Sequence, residues 1–413
     1  MNAAVPHKIA LAPRVPQELF NPAVSTAVRA ILQRALDGEE LSEAEGVVLF
    51  GTEGAELDAL TATADAVRQQ RVGDRATFVI TRNINYTNVC YMGCKFCNFA
   101  KRKDDPEAEF FDLDEIVRRA QEAWDRGATE VCIQGGLHPD LPVHFYRDML
   151  KAIKSVLPGM HIHAFSPFEI WFGARKSKMS YADFIQDLMD HGLGSMPGTA
   201  AEILDTEIRQ QLTKDKLTTD QWVEIIQTAH RLGLPTTATI MYGHIDGPEH
   251  WAAHLALLRT IQQKTGGFTE FVPLGFIHYK TPLYLEVAGV RPGPTRHEHI
   301  RMHAVARLML NGWIDNIQAS WVKLGTDLAQ QMLAAGVNDL GGTLMNESIS
   351  RAAGGEHGQE MQPAELIGMM RAMGREPVRR NTLYRPLEVF DRTAASDAAF
   401  EPLPQSLLAG GIA

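Results

Sequence analysis

At 413 residues and 45% hydrophobic content, the chain is long enough for one large domain with appendages or for two ordinary domains. Its 40 basic and 50 acidic side chains leave a formal charge of −10, so no global positive field favours nucleic acid. No stretch approaches the ~20 apolar residues of a membrane span, and residues 1–20 carry Lys8 and Arg14 without a continuous apolar run, so a cytoplasmic protein is expected, with neither nucleic acid nor membrane as partner.

Residues 1–22 hold four prolines and no periodic apolar face, which reads as a poorly ordered arm. Ser42 and Glu45 form an S-x-x-E capping box, and a further helix is expected from Leu57 to Arg68, so 23–74 reads as a helical N-terminal extension. From Arg75 the pattern changes to short apolar strands near 77–84, 129–134, 161–165, 193–196, 236–242, 268–273, 316–321 and 338–341. Helical patterns alternate with them, among them Leu113 to Trp124, Phe145 to Val156, Tyr181 to Met189, Trp222 to Leu232, Arg296 to Leu310 and Thr326 to Ala335. The segment after Pro248 puts Trp251, Leu255, Leu258 and Ile261 on one face and stops at Gly266-Gly267. Such alternation predicts an α/β chain with a parallel sheet and right-handed crossovers. Eight units would close a (β/α)8 TIM-like barrel over 75–345; an open six-unit barrel follows if the last two strands are misassigned. Residues 346–385 read as a polar C-terminal helical segment in which Pro363 opens a helix reaching Met373, and 386–413 as an aperiodic tail.

Three of the four cysteines, Cys90, Cys94 and Cys97, fall as C-x3-C-x2-C just after the first strand. A structural zinc site wants four nitrogen or sulfur ligands, and no histidine lies between residues 83 and 137. A four-iron cluster takes one thiolate per iron, so three cysteines leave one iron open. A zinc loop completed by a distant ligand, or a functionless surface cluster, are the alternatives. Cys132, alone in an apolar run, reads as a buried strand residue, and the absence of a disulfide pattern points to a reducing compartment. The run Lys101-Arg102-Lys103 reads as a solvated turn able to steer an acidic electron donor.

In a barrel of this kind the site lies at the C-terminal ends of the strands. The candidates there are the glycine pair Gly135-Gly136, then His163, Ser166 and Glu169, Glu202 after Met196-Pro197-Gly198, Tyr242 and His244, Glu270, Gln318, Ser320 and Lys323, and Asn338 and Asp339. Paired glycines allow close approach to backbone. Gln318, Ser320 and Asn338 offer neutral hydrogen-bond partners, Asp339 a charged acceptor, and Lys323 a cation for a substrate carboxylate.

The cysteine spacing, with Phe96 before the last cysteine, resembles that of the radical S-adenosylmethionine enzymes. The resemblance implies a 4Fe-4S cluster whose open iron is chelated by S-adenosylmethionine, and homolysis to a 5'-deoxyadenosyl radical. It also implies cofactor contacts at Phe96, Gly135, Gly136 and Glu202. Longer stretches, Thr239 to Asp246, Thr265 to Leu274, Asn316 to Gly325 and Asn338 to Met345, resemble one branch, the second subunit of deazaflavin (FO) synthase. That family joins L-tyrosine to 5-amino-6-(D-ribitylamino)uracil. The bond between the alpha and beta carbons of tyrosine breaks, a 4-hydroxybenzyl unit adds to the uracil and 2-iminoacetate leaves. An electron donor and a ring-closing partner, FO synthase subunit 1, are implied, and a single three-cysteine motif is not expected of the fused two-site form. Two rivals remain: a radical enzyme of the futalosine route to menaquinone, and an iron-sulfur carrier.

Overall fold

The computed structural model describes residues 15–393; the first part of the expected arm, 1–14, and most of the expected tail, 394–413, lie outside the described residues. Three helices come first: α1 (Thr26–Leu36), α2 (Glu43–Phe50) and α3 (Ala55–Val72). The barrel follows, with β1 (Arg75–Val79), β2 (Thr81–Ile84), α4 (Leu113–Asp125), β3 (Glu130–Ile133), α5 (Phe145–Val156), β4 (His161–Ala164), α6 (Pro167–Ser177) and α7 (Tyr181–Asp190). It continues with α8 (Thr206–Leu212), α9 (Thr219–Arg231), β5 (Thr236–Tyr242), α10 (Pro248–Thr265), β6 (Phe268–Gly275), α11 (Pro282–Glu286), α12 (Arg296–Met309), α13 (Trp321–Met332) and β7 (Asp339–Gly342). The last elements are α14 (Ile349–Ala352), α15 (Pro363–Ala372), β8 (Glu376–Arg380) and β9 (Pro386–Val389). Among the described residues no helix is long and apolar enough to cross a membrane.

The parallel ring closes at eight positions. β1 and β2 form one edge interrupted at Ile80; β2 pairs with β3, β3 with β4, β5 with β6, and β7 returns to β1 with Thr77 opposite Asp339. Between β4 and β5 the ladder is carried by the bridges His163–Ser195 and Met196–Thr236, and between β6 and β7 by Phe271–Ile317 and Gln318–Asp339. The expected strands at 193–196 and 316–321 therefore shrink to single bridges. Pro197 follows Met196 and has no N–H to extend a ladder. At the other position the Asn338 side chain adds to the main-chain pairing: Asn338 Oδ1 accepts from Ile317 N (2.9 Å), and Asn338 Nδ2 donates to Asn316 (3.0 Å).

Local sequence explains most helix starts. Capping boxes open α2 (Ser42/Glu45), α6 (Ser166/Glu169), α9 (Thr218/Gln221) and α12 (Thr295/Glu298), and Pro248 and Pro363 occupy the first turn of α10 and α15. The N-terminal helices pack on the outer layer. Phe50 meets Trp251 edge-on at 5.2 Å, and Arg259 and Arg301 donate to the carbonyls of Leu41 and Thr52 at 2.7 and 2.9 Å. Gly46 lets α2 approach α12, since a Cβ there would stand 2.6 Å from Met309 Sδ.

The C-terminal segment differs from the helical reading. β8 adds in parallel to β1, from Arg75 opposite Glu376 to Phe78 opposite Arg379, and β9 pairs antiparallel with β8. Pro386–Val389 is thus an edge strand and not a tail. The turn between the two strands closes the barrel's lower end, away from the cysteine loop. Arg380 holds Asp339 through two hydrogen bonds (2.6 and 3.0 Å), and its guanidinium lies 3.9 Å over the Tyr384 ring. Tyr384 and Gln318 both donate to Glu270, Thr77 donates to Asp339, and burial pushes the Glu270 carboxyl up to about 7. Above this floor Ser195 Oγ bridges His161 and His163 at 2.7 Å each.

Arg380→Ala leaves Asp339 an uncompensated buried charge, so a loss of about 3–5 kcal/mol is expected from urea unfolding; a change below about 1 kcal/mol would deny the floor a structural role.

Burial holds His163, His254 and His299 down to about 3, and His161, His230 and His303 to about 4, from an ordinary 6.5. Glu169 and Glu270 are raised to about 7 from 4.5. The unfolded chain binds more protons at each histidine between about 4 and 6.5, which removes stability as pH falls; the two glutamates act oppositely between 4.5 and 7. Six histidines against two glutamates decide the sign. The urea midpoint is expected to fall between pH 6.5 and 5, and a flat or rising midpoint would contradict this burial pattern.

Candidate active site

The cysteine loop leaves β2 at the upper mouth and is tied down along its length. Cys90 N donates to Lys101 O (3.0 Å), Tyr91 N to Leu137 O (3.2 Å), Lys95 N to Leu212 O (3.0 Å) and Gly136 N to Thr87 O (2.8 Å). The side chain of Asn88 donates to Glu107 O and accepts from Glu109 N, closing the return of the loop (2.8 and 2.7 Å). The adjacent basic run is committed to its surroundings: Lys101 pairs with Glu107, Lys103 with Asp140, and Arg102 donates to Cys90 O.

The glycine pair has a packing role. A Cβ on Gly135 would stand 2.5 Å from the Tyr86 ring, and one on Gly136 would stand 2.3 Å from Val89 O. The root of the cysteine loop packs against both glycines, so they set its height above β3. Glu169 locks the arrangement: Oε1 accepts from Gly135 N and Tyr86 Oη (both 3.0 Å) and Oε2 from Ser166 N and Oγ (both 2.7 Å). Its burial raises the carboxyl to about 7.

Burial pushes the Cys94 thiol up to about 11 and raises that of Cys97. Opposing this, the amides of Phe99 and Ala100 point at Cys97, and the Lys216 cation favours both thiolates. Among the described residues no three Cys, His, Asp or Glu side chains converge on a point for a single ion. A four-iron cluster, bound through one thiolate per iron, asks for sulfurs at separate corners instead. Three loop cysteines with N–H donors and a buried cation fit that group.

Beside Cys97 a cavity of about 170 Å3 is lined by Phe96, Glu202, Thr239, Met241, Leu274 and Lys323, among others. Glu202 sits in a left-handed turn, with φ of 64° at Ala200 and 41° at Glu202. Arg209 holds that turn by donating to the carbonyls of Ala200, Ala201 and Ile203. Lys216 Nζ lies 2.5 Å from Glu202 Oε1 and 5.1 Å over the Phe96 ring. The Lys323 ammonium, whose pKa burial lowers, pairs with no carboxylate among the described residues; the nearby Glu347 is committed to the amides of Ile349 and Ser350.

The structure thus gathers Cys97, Phe96, Glu202 and Lys323 around one cavity and sends most other candidates elsewhere. His163, Glu270, Gln318 and Asp339 belong to the lower barrel. β6 runs on to Gly275 and β7 only begins at Asp339, so positions read as strand ends are strand starts or middles. Asn338 binds Arg307 (2.7 Å) beside the Ile317 bridge, and Tyr242 bonds His299 (2.6 Å). His244 is buried against its own loop, with Nε2 on Met241 O, and Ser320 is the buried residue before α13. Residues the sequence reading did not single out, Lys216, Arg209 and Tyr86, support the site. Lys216 was recognisable only by its closeness in space to Glu202, fourteen positions away.

Gly135→Ala should lower the thermal midpoint and reduce cluster occupancy after reconstitution, measured as iron per chain; full occupancy with unchanged melting would contradict the packing role.

The radical SAM superfamily matches residues 84–258, and the CofH/MqnC C-terminal region matches residues 265–393. The chain is 48% identical over 365 residues to the 5-amino-6-(D-ribitylamino)uracil--L-tyrosine 4-hydroxyphenyl transferase of Methanothermobacter thermautotrophicus, covering 88% of this chain and 99% of that one. It is 52% identical to the FO synthases of Streptomyces avermitilis and Mycobacterium leprae, over 91% and 87% of this chain but only 44% and 42% of theirs. The chain therefore spans less than half the length of those FO synthases. Among solved structures, methylornithine synthase aligns with TM-score 0.67 at 18% identity, over 84% of this chain and 97% of that one. The FeFe-hydrogenase maturase HydG from Carboxydothermus hydrogenoformans aligns with TM-score 0.68 at 17% identity, over 87% and 80%. At such identities these two establish the barrel fold alone. With the cysteine loop at the barrel mouth and nearly the whole Methanothermobacter transferase matched, the chain belongs to that transferase's family within the radical S-adenosylmethionine superfamily, whose cofactors are a 4Fe-4S cluster and S-adenosylmethionine.

Proposed function

We propose that the chain is a transferase that joins the 4-hydroxybenzyl part of L-tyrosine to 5-amino-6-(D-ribitylamino)uracil, releasing 2-iminoacetate, on the way to the deazaflavin FO. The observation that carries this is 48% identity across 99% of a relative bearing that activity in its name.

Cys90, Cys94 and Cys97 would hold the cluster. When bound, the cluster and S-adenosylmethionine supply the one-electron cleavage that starts hydrogen abstraction from tyrosine. The chain's own groups do the rest. Phe96 and the Glu202–Lys216 pair wall the cavity at Cys97, Glu202 accepting from the ammonium or the ribose hydroxyls of S-adenosylmethionine. Glu169 and Tyr86 fix the glycine loop beneath the cysteines. Lys323, a buried cation without a carboxylate partner among the described residues, takes the tyrosine carboxylate. The apolar walls of Leu274, Phe276 and Ile277 offer a radical few hydrogen donors. The ring-closing step is assigned to a partner radical enzyme, and an electron donor is required. A reducing, cytoplasmic setting agrees with four unpaired cysteines.

The test is anaerobic turnover of the reconstituted chain with each substrate omitted in turn, read by mass spectrometry. An adduct of hydroxybenzyl mass that needs both tyrosine and the uracil is expected, and Cys94→Ala should abolish 5'-deoxyadenosine release. Release without adduct, restored by futalosine-route substrates, would replace the proposed substrates.

A further inference from the structure

A second, larger cleft of about 1140 Å3 opens at the barrel mouth and shares Cys97 and Asn98 with the first cavity. Its walls come from the end of β2 and the cysteine loop on one side and from the segment 346–359 on the other, and the charged side chains of Lys101, Asp105, Glu107, Glu109, Arg119 and Lys280 complete its rim. Two of its carboxamides are spent on structure. Asn85 donates to Gln134 O (3.0 Å) and accepts from Ser348 (2.9 Å), and Asn88 is closed on the cysteine loop. The side chains of Asn83, Asn98, Gln359 and Arg351 line the same cleft and hydrogen-bond to no other described residue.

The backbone leading into the far wall is strained. Leu344, Met345 and Asn346 are three successive non-glycine residues at positive φ, 64°, 40° and 136°. They are held there by Asn83 N donating to Leu344 O (2.7 Å) and by Asn346 N and Glu347 N donating to Gln359 O (3.2 and 3.0 Å). Backbone of this kind persists where surroundings over-determine it, and it gathers at ligand clamps. Here it turns the chain leaving β7 across the mouth and lays Gln359 and Arg351 opposite Asn83.

We propose that this cleft is the binding site of the ribitylaminouracil, read by Asn83, Asn98 and Gln359 with Arg351 at its outer edge. The inference rests on the transferase reading above. A uracil ring offers alternating donors and acceptors and the ribityl chain a row of hydroxyls, all neutral, which carboxamides satisfy in both directions. Tyrosine is a zwitterion, and its carboxylate suits Lys323 at the cavity. The cleft and the cavity share Cys97 and Asn98, so a uracil bound in the cleft lies beside the residues that would hold the cluster.

The test is calorimetric binding of 5-amino-6-(D-ribitylamino)uracil to the reconstituted chain with S-adenosylmethionine present and no reductant. Gln359→Ala and Asn83→Ala should each weaken binding about tenfold, the loss of one or two hydrogen bonds, and leave S-adenosylmethionine affinity unchanged. Arg351 is exposed, so Arg351→Gln offers a variant whose folding is not at risk, and it should weaken the same ligand. 5,6-Diaminouracil, which lacks the ribityl chain, should bind more weakly than the full compound. Variants that melt normally and bind the uracil as the unsubstituted chain does would overturn the assignment while the transferase reading stands. An unsubstituted chain that neither binds the uracil nor forms its tyrosine adduct would overturn both.

Discussion

The functional end of this protein depends on how the cysteine loop is seated on the third barrel position. Two backbone approaches decide it: Gly135 under the Tyr86 ring, and Gly136 against Val89 O with its amide on Thr87 O. Neither approach leaves room for a Cβ. Glu169 then satisfies the Gly135 amide and the Tyr86 hydroxyl with one carboxylate oxygen, and the start of α6 with the other. A loop with little regular structure is thereby fixed to a rigid scaffold, which is what a cluster with three protein ligands needs if its open iron is to face a cavity.

The barrel treats its two ends differently. The lower end is sealed by charge: Arg380, Asp339, Glu270 and Tyr384 form a buried network contributed partly by a hairpin from the C-terminal segment. Buried ions of this kind are costly unless fully paired. Their pairing leaves the upper end as the one with uncommitted groups. There the cavity and the cleft meet at Cys97, one walled largely by apolar side chains and the other by carboxamides and charged side chains such as Lys101, Glu107, Arg119 and Lys280.

Much of this was legible in the chain. Cysteine spacing, the alternation of strand and helix, capping boxes such as Ser42/Glu45, and the Pro248 and Pro363 helix starts are local signals, and local geometry follows them. Depth within a strand is not local. Glu270 and Asp339 were read as lying at strand ends, but β6 extends five residues beyond Glu270 and β7 starts at Asp339. Their partner Arg380 comes from a hairpin that the polar C-terminal sequence did not announce. Asn338 misled for another reason: its side-chain amide accepts from Ile317 N, a role visible only once the neighbouring strand is in place. The left-handed turn at Leu344 to Asn346 has no glycine to mark it, and so the far wall of the cleft was also invisible.

The most direct measurement of the central claim is Mössbauer spectroscopy of the reconstituted chain with and without S-adenosylmethionine. If the three loop cysteines hold a four-iron cluster with one iron facing the cavity, one iron in four should shift on addition of S-adenosylmethionine while three stay sulfur-ligated. Four equivalent irons, unmoved by S-adenosylmethionine, would contradict the account.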